Sequence, residues 1–292
     1  MFRNVTELIG LANKANKKIS EIMIEQEVEV TGRTKEEVLH LMERNLQVME
    51  AAVARGIGGV WSHSQLTGGD AVLMQKYIEK GNFLSGETIL NAVAQAMATN
   101  EVNAAMGTIC ATPTAGSAGV VPGALFAVKN KLNPSRTQMI AFLFTAGAFG
   151  YVVANNASIS GAAGGCQAEV GSAAGMAAAA IVEMAGGSAE QCGEAMAISL
   201  KNMLGLVCDP VAGLVEVPCV KRNAMGAANA LVSADMALAG IKSRIPCDEV
   251  IGAMYRIGQT MPATLRETGQ GGLAATPTGR KYEEKIFGKP LK

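Results

Sequence analysis

The stretch Thr34 to Gly59, TKEEVLHLMERNLQVMEAAVARGIGG, reads as a helix with both ends marked. Thr34 and Glu37 have the spacing of a capping box, in which each side chain satisfies a backbone N–H at the helix start. Val38, Leu41, Met42, Met49 and Val53 follow at intervals that stack apolar side chains on one face. Gly56, Gly58 and Gly59 then end it. The same opening recurs at Ser135–Gln138 and Ser188–Gln191, each ahead of an apolar run. The nearest approach to a strand is Glu27 to Thr31, EVEVT, which is too short to set a fold class. Aromatics make up only 4% of the chain, and Ala, Leu and Met are abundant. An all-α fold is expected, as a single helical domain with Gly-rich loops between the helices.

The 292 residues contain no Pro- or Ser-rich linker, so 1–292 reads as one domain. Residues 1–60 are more charged and are a candidate N-terminal helical subdomain. Formal net charge is zero at a pI near 6.7, which gives no basic footprint for nucleic acid or an anionic membrane surface. The most apolar run, Met139 to Val153, is shorter than the roughly 20 residues of a membrane span and is expected to be a core helix. Lys14, Lys17 and Lys18 interrupt the apolar positions of the first 22 residues, so no secretory signal is read there and a cytoplasmic location is expected. Hydrophobic residues at 49% against 17% charged leave little solvated surface, which suggests burial against a partner subunit.

Six cysteines in such a chain do not suggest a disulfide framework. Cys166, Cys208 and Cys219 each lie at a break marked by Gly or Pro, where thiols can be aimed at a shared centre. Thiolate is the soft ligand that zinc and iron–sulfur clusters take. There is no CxxC, so the spacing alone is equally that of small buried side chains. Cys192 and Cys247 read as structural, and Cys110 adjoins a small-residue loop. That loop, Thr112 to Gly123, could be helix packing or a site. As a site its backbone N–H groups would form an anion-binding concavity around Thr112, Thr114, Gly116, Ser117 and Gly119, with hydroxyls from Thr114 and Ser117. The alternative is that Ser117 simply caps a helix.

Three segments carry a resemblance: TPTAGSAGVVPGAL (112–125), GGCQAEVGSAAGMAAAA (164–180) and GLVCDPVAGLVEVPCVKRNAMGA (205–227). Together they resemble the α chain, or catalytic domain, of the bacterial iron–sulfur L-serine dehydratases. The resemblance implies an all-helical catalytic domain and a [4Fe–4S] cluster held by Cys166, Cys208 and Cys219. It implies loss of water and ammonia from a small amino acid, with the iron that lacks a protein ligand acting as Lewis acid on the hydroxyl. It also implies a separate β subunit, because the Ser- and His-containing segment of the family's other half has no counterpart here. The tail from Lys281 to Lys292 has no Cys, so it cannot cover the open iron as some family tails do.

For the base, His63 is the default candidate, in a Gly-rich loop whose Thr67-Gly68-Gly69-Asp70 part shares the resemblance. His40 falls within the first helix described and reads as a surface residue. Lys221 is a second catalytic candidate, and with Arg222 it could bind a carboxylate or tune the cluster's charge. Two other readings stay open: cysteine desulfidase chemistry, in which iron takes a thiol, and a redox sensor, which would need no carboxylate cradle.

Overall fold

The computed structural model describes residues 2–288, so Met1 and residues 289–292 of the cysteine-free tail lie outside the described residues. Among the described residues there are thirteen α-helices and no β-strand, as the sequence led us to expect. They are α1 (Val5–Ala15), α2 (Ile19–Thr31), α3 (Lys35–Ile57), α4 (Asp70–Glu79), α5 (Glu87–Ala104), α6 (Val120–Leu132) and α7 (Arg136–Asn156). Then follow α8 (Gly161–Gly164), α9 (Ser172–Met184), α10 (Ala189–Lys201), α11 (Cys219–Leu238), α12 (Cys247–Thr260) and α13 (Pro277–Phe287).

All three capping boxes form. Thr34 Oγ1 accepts from Glu37 N at 3.2 Å while Glu37 Oε2 accepts from Thr34 N at 2.8 Å, and the Ser135–Gln138 and Ser188–Gln191 pairs do the same. The strand-like EVEVT is the end of α2, where Val28 is half-buried against the core and Val30 is exposed. Cys247 is the first residue of α12. Its preceding proline is the reason: Pro246 fixes the extended backbone from which that helix starts.

α9 is the centre. Every residue from Ser172 to Glu183 is buried, and α6, α7, α10 and α11 pack around it. Six of its thirteen residues are Ala, so neighbouring backbones come close and the core is built of many small contacts. α7 is long and apolar enough to cross a membrane by length and composition, but most of it is buried in this core against α9 and α2. The helices of residues 1–60 share the same core: Phe2, Val5, Leu8, Ile19 and Leu46 belong to one cluster with Phe149 and Ala177. Glu183 on α9 fastens them, accepting from Ile19 N at 2.7 Å and from Thr145 Oγ1 at 2.6 Å.

Two glycines set how the site helices meet. A side chain at Gly119 would put a Cβ 2.2 Å from Ala96 O, and one at Gly56 would stand 2.2 Å from Ala98 O. Only glycine lets α3 and the start of α6 press on α5 this closely.

Candidate active site

Cys166 follows Gly165, whose φ of +77° turns the chain sharply out of α8. A side chain at Gly165 would strike Met261 and Leu206 O at 2.6 and 2.8 Å. After Cys166 the chain makes a π-turn at Gln167–Gly171 before α9, a rare insertion associated with functional sites. Gln167, fully buried, fixes this corner: its amide donates to Gly164 O and Met254 O at 2.9 and 3.0 Å and accepts from Gly205 N at 3.0 Å. Cys208 lies in the loop after α10, and Cys219 opens α11 after a cis Val217–Pro218 bond.

All three cysteines are buried and unpaired. Burial pushes the Cys166 thiol up to about 12, Arg222 opposing and Glu169 adding to the rise. Burial raises Cys208 and Cys219 further, and each also feels the charge of Cys166. Thiols that perturb one another in this way share one small region. No such mutual effect links them to Cys192 or Cys247, which are buried elsewhere, or to half-buried Cys110.

Beside the thiols stands Glu169, three residues past Cys166 and the sole charged residue between 161 and 182. Its carboxylate accepts from Thr114 Oγ1 at 2.8 Å and lies 4.0 Å from Cys208 Sγ. Burial raises its pKa; the Thr114 hydrogen bond partly offsets this, and the neighbouring Glu267 adds to it. Glu267 comes from the loop before α13. The backbone of that loop pairs with Cys208: Cys208 N donates to Leu265 O at 2.9 Å and Glu267 N to Cys208 O at 2.7 Å. Glu267 holds φ +63°, a left-handed conformation costly for a side chain of this kind and kept by that pairing. Ligand atoms of Glu169, Cys208 and Glu267 all lie within 4.8 Å of one another.

The Thr112–Gly119 loop faces this group. A Cβ at Gly116 would stand 3.1 Å from Glu169 Oε1, so the loop backbone rests directly on the carboxylate. Asn223, fully buried on α11, ties the loop to the helix bearing Cys219. It donates to Gly116 O and Cys219 O at 2.7 and 2.9 Å and accepts from Gly119 N at 3.0 Å. The Ser117 hydroxyl is fully buried and donates to Thr112 O at 3.0 Å, so it closes the loop on itself. It does not cap α6, whose N-cap is Gly119. The Ala115 and Gly116 N–H groups carry no hydrogen bond among the described residues.

Arg222 and Lys221 part company. Arg222 turns inward, 2.8 Å from Asp209 in an ion pair and donating to Val207 O at 2.7 Å, and it is the cation that lowers Cys166 and Cys219. Lys221 is exposed and pairs with Asp70 at the start of α4. His63 is exposed on the loop ahead of α4, and the adjoining Ser64 donates to Glu216 at 2.6 Å, three residues before Cys219. His40 is exposed on α3.

With glycine at its N-cap, α4 is capped by another helix: Glu101 of α5 accepts from Asp70 N at 2.7 Å and Ala71 N at 3.4 Å. Burial raises the Glu101 carboxyl above its ordinary 4.5, and these two bonds partly offset it. A raised folded-state pKa means that its stabilising contribution is full below 4.5 and lost as pH rises through the folded value. Glu101→Gln keeps an acceptor for Asp70 N–H and removes the titration. Its urea midpoint is expected to fall less steeply with pH than that of the wild type. Profiles running parallel from 4.5 upward would assign the slope to other groups.

Three buried thiols whose pKa values are raised by burial and by neighbouring charges, with one arginine facing them, suit a soft cationic centre that binds thiolate. A [4Fe–4S] cluster fits that donor set. The two carboxylates are hard donors and stand beside it. Sequence reasoning missed Glu169, Glu267, Asn223 and the Asp209–Arg222 pair. Glu169 had a signal, as a lone charge in an apolar run; Glu267 had none, since only tertiary pairing brings it to Cys208.

The serine dehydratase alpha chain family model matches residues 14–274. A probable L-serine dehydratase alpha chain of Bacillus subtilis is 76% identical over 291 residues, spanning 100% of this chain and 97% of that one. The L-serine dehydratase alpha chain of Peptoniphilus asaccharolyticus is 43% identical over 96% of this chain and 97% of its own. L-serine dehydratase 1 of Escherichia coli is 36% identical over 94% of this chain, which matches only 61% of that longer one.

Proposed function

The chain belongs to the serine dehydratase alpha chain family, and from that premise we propose that it is the catalytic half of an L-serine ammonia-lyase that uses a [4Fe–4S] cluster held by Cys166, Cys208 and Cys219. The observation that carries the reading is the meeting of three buried thiols opposite the Thr112–Gly119 loop. Bound there, the cluster supplies a Lewis-acidic iron for the substrate hydroxyl. The residues of the chain do the rest. The free N–H groups of Ala115 and Gly116 receive the substrate carboxylate, in the loop spanning Thr112, Thr114, Gly116, Ser117 and Gly119. Asn223 holds that loop in register with Cys219. Arg222 offsets the negative charge of the thiolates. Elimination gives an enamine that becomes an imine and hydrolyses to pyruvate and ammonia.

The proton on Cα needs an acceptor. Within this chain Glu169 is placed for it, a buried carboxylate whose raised pKa brings it nearer neutrality. His63 and Lys221 lie at the rim, where they can serve once a partner closes over them. A separate β chain is the natural partner, since the relatives similar over their full length are themselves named alpha chains. Six unpaired thiols suit the reducing cytoplasm.

Anaerobic protein loaded with iron and sulfide, mixed with the β chain, should show broad visible absorption and form pyruvate from L-serine in preference to L-cysteine. Loaded protein that desulfurises cysteine and leaves serine untouched would overturn the assignment.

Thr114→Val tests the site without removing a ligand. It deletes a hydrogen bond to a carboxylate, worth about 1.5–3 kcal/mol, so activity should fall about 10- to 150-fold with absorption unchanged. That bond holds the Glu169 pKa down in the wild type, so its loss raises the pKa and the acid limb of the activity profile should also move to higher pH. Wild-type kinetics and an unmoved limb would take Glu169 out of the reaction.

A further inference from the structure

An exposed apolar strip runs along α4 beside the candidate site. Trp61, exposed to 60%, lies over Gly69, where a Cβ would meet its ring at 3.3 Å. Leu73 and Tyr77 continue from Gly69 at one-turn intervals, exposed to 66% and 40%. Leu84, fully exposed, follows in the connection to α5. The opposite side of α4 is packed through Ala71, Met74 and Ile78, so its inward face is already spent. Isolated exposed apolar residues are ordinary, but Trp61, Leu73 and Tyr77 share one face of a ten-residue helix and its start, with Leu84 exposed beyond its end.

The strip is continuous with the site through two contacts. Asp70, the first residue of α4, pairs with Lys221, two residues past Cys219. Ser64, three residues past Trp61, is hydrogen-bonded to Glu216, in the turn leading to Cys219. Whatever covers Trp61 and Leu73 therefore comes to lie over His63 and Lys221.

The relatives indicate the occupant. Alpha chains from Bacillus subtilis and Peptoniphilus asaccharolyticus are matched over 97% of their length, whereas the longer L-serine dehydratases from Escherichia coli and Haemophilus influenzae are matched over only 61%. The same fold thus occurs with and without a further two fifths of polypeptide in the same chain. Alpha chains go with a separate second chain, and an apolar strip beside the site is the natural seat for it. We propose that the strip Trp61–Leu73–Tyr77 is the docking surface for the β chain, which caps the site at its His63 and Lys221 rim. This rests on the reading of the chain as one half of a two-chain dehydratase.

Leu73→Glu and Tyr77→Glu place charge on side chains that are already solvated, so the fold should stand, checked by unchanged helical circular dichroism and iron content. Each should weaken the complex with purified β chain by at least about 30-fold, the scale of a central interface residue. Ile245→Glu, exposed beside α12, should bind as the wild type does. Trp61 is the one tryptophan of the chain, so β chain added to the wild type should shift its emission to shorter wavelength and shield it from acrylamide, with Trp61→Phe as the blank. Wild-type affinity in both α4 variants, or an unshielded Trp61, would overturn the surface assignment while leaving a two-chain enzyme. If the variants lose self-association but keep the β chain, the strip is an interface between copies and the proposal fails. Absence of any complex with the wild type, together with serine turnover by this chain alone, would overturn the two-chain reading itself.

Discussion

Replacing Cys166, Cys208 or Cys219 singly with serine is expected to abolish serine turnover and strip the protein of most of its iron, while the helical fold persists. The thiols occupy three separate breaks in the chain, at the π-turn before α9, in the loop after α10 and at the first residue of α11. Cys166 and Cys208 also belong to the main core cluster, and serine fills nearly the same volume there, so loss of iron rather than of fold is the expected effect. Losing even an outer partner of a metal ligand commonly costs about 10- to 100-fold in affinity or activity, so losing a ligand should exceed about 100-fold. Cys192 and Cys247 are the controls. Both are as buried as the triad, but neither interacts with it, and serine there should leave iron content unchanged. Iron and sulfide assays on anaerobic protein decide the matter. Full cluster content in any one triad variant removes that cysteine from the ligand set.

The fold was legible because its signals are local. Capping boxes and apolar periodicity act within four residues, and Thr34, Ser135 and Ser188 each open the helix they announced. The strand-like EVEVT became helix because it continues α2, whose Ile19, Ile22 and Ile24 are packed in the core, so tertiary packing outweighs a weak local preference. The thiols were legible as a set only through motif resemblance, their spacing being uninformative. The groups that complete the site were not. Glu267 is brought to Cys208 by one backbone pairing across 59 residues of sequence, and Arg222 turns inward only because Asp209 waits there. Ser117 shows the converse. Its hydroxyl sits in the expected loop, but the loop needs it to hold Thr112, so its contribution there is to shape.

Prepared without its β chain, this protein is expected to load its cluster and still turn over serine at least about 100-fold more slowly than the complex. General acid–base groups contribute about 10²- to 10⁴-fold, and the chain is poorly supplied with them. His40 and His63 are its only histidines, and both are exposed to solvent. Lys221 is committed to Asp70, also at the rim. Of the buried carboxylates beside the thiols, Asp209 is committed to Arg222, and Glu169 cannot both accept the Cα proton and exclude water from an open site. A partner seated along α4 would cover Trp61 and bury His63 and Lys221, which supplies the missing closure. The uncovered strip also predicts the behaviour of the free chain, which should self-associate as concentration rises and become monodisperse when the β chain is added. Size-exclusion chromatography and pyruvate formation, run on the same cluster-loaded samples, give the answer. Turnover by the lone chain on the order of 10 per second, a typical enzyme rate, would mean that its own residues suffice. His63→Ala, Lys221→Met and Glu169→Gln would then separate the three bases this chain offers: the variant that loses turnover while keeping its cluster identifies the group that takes the proton.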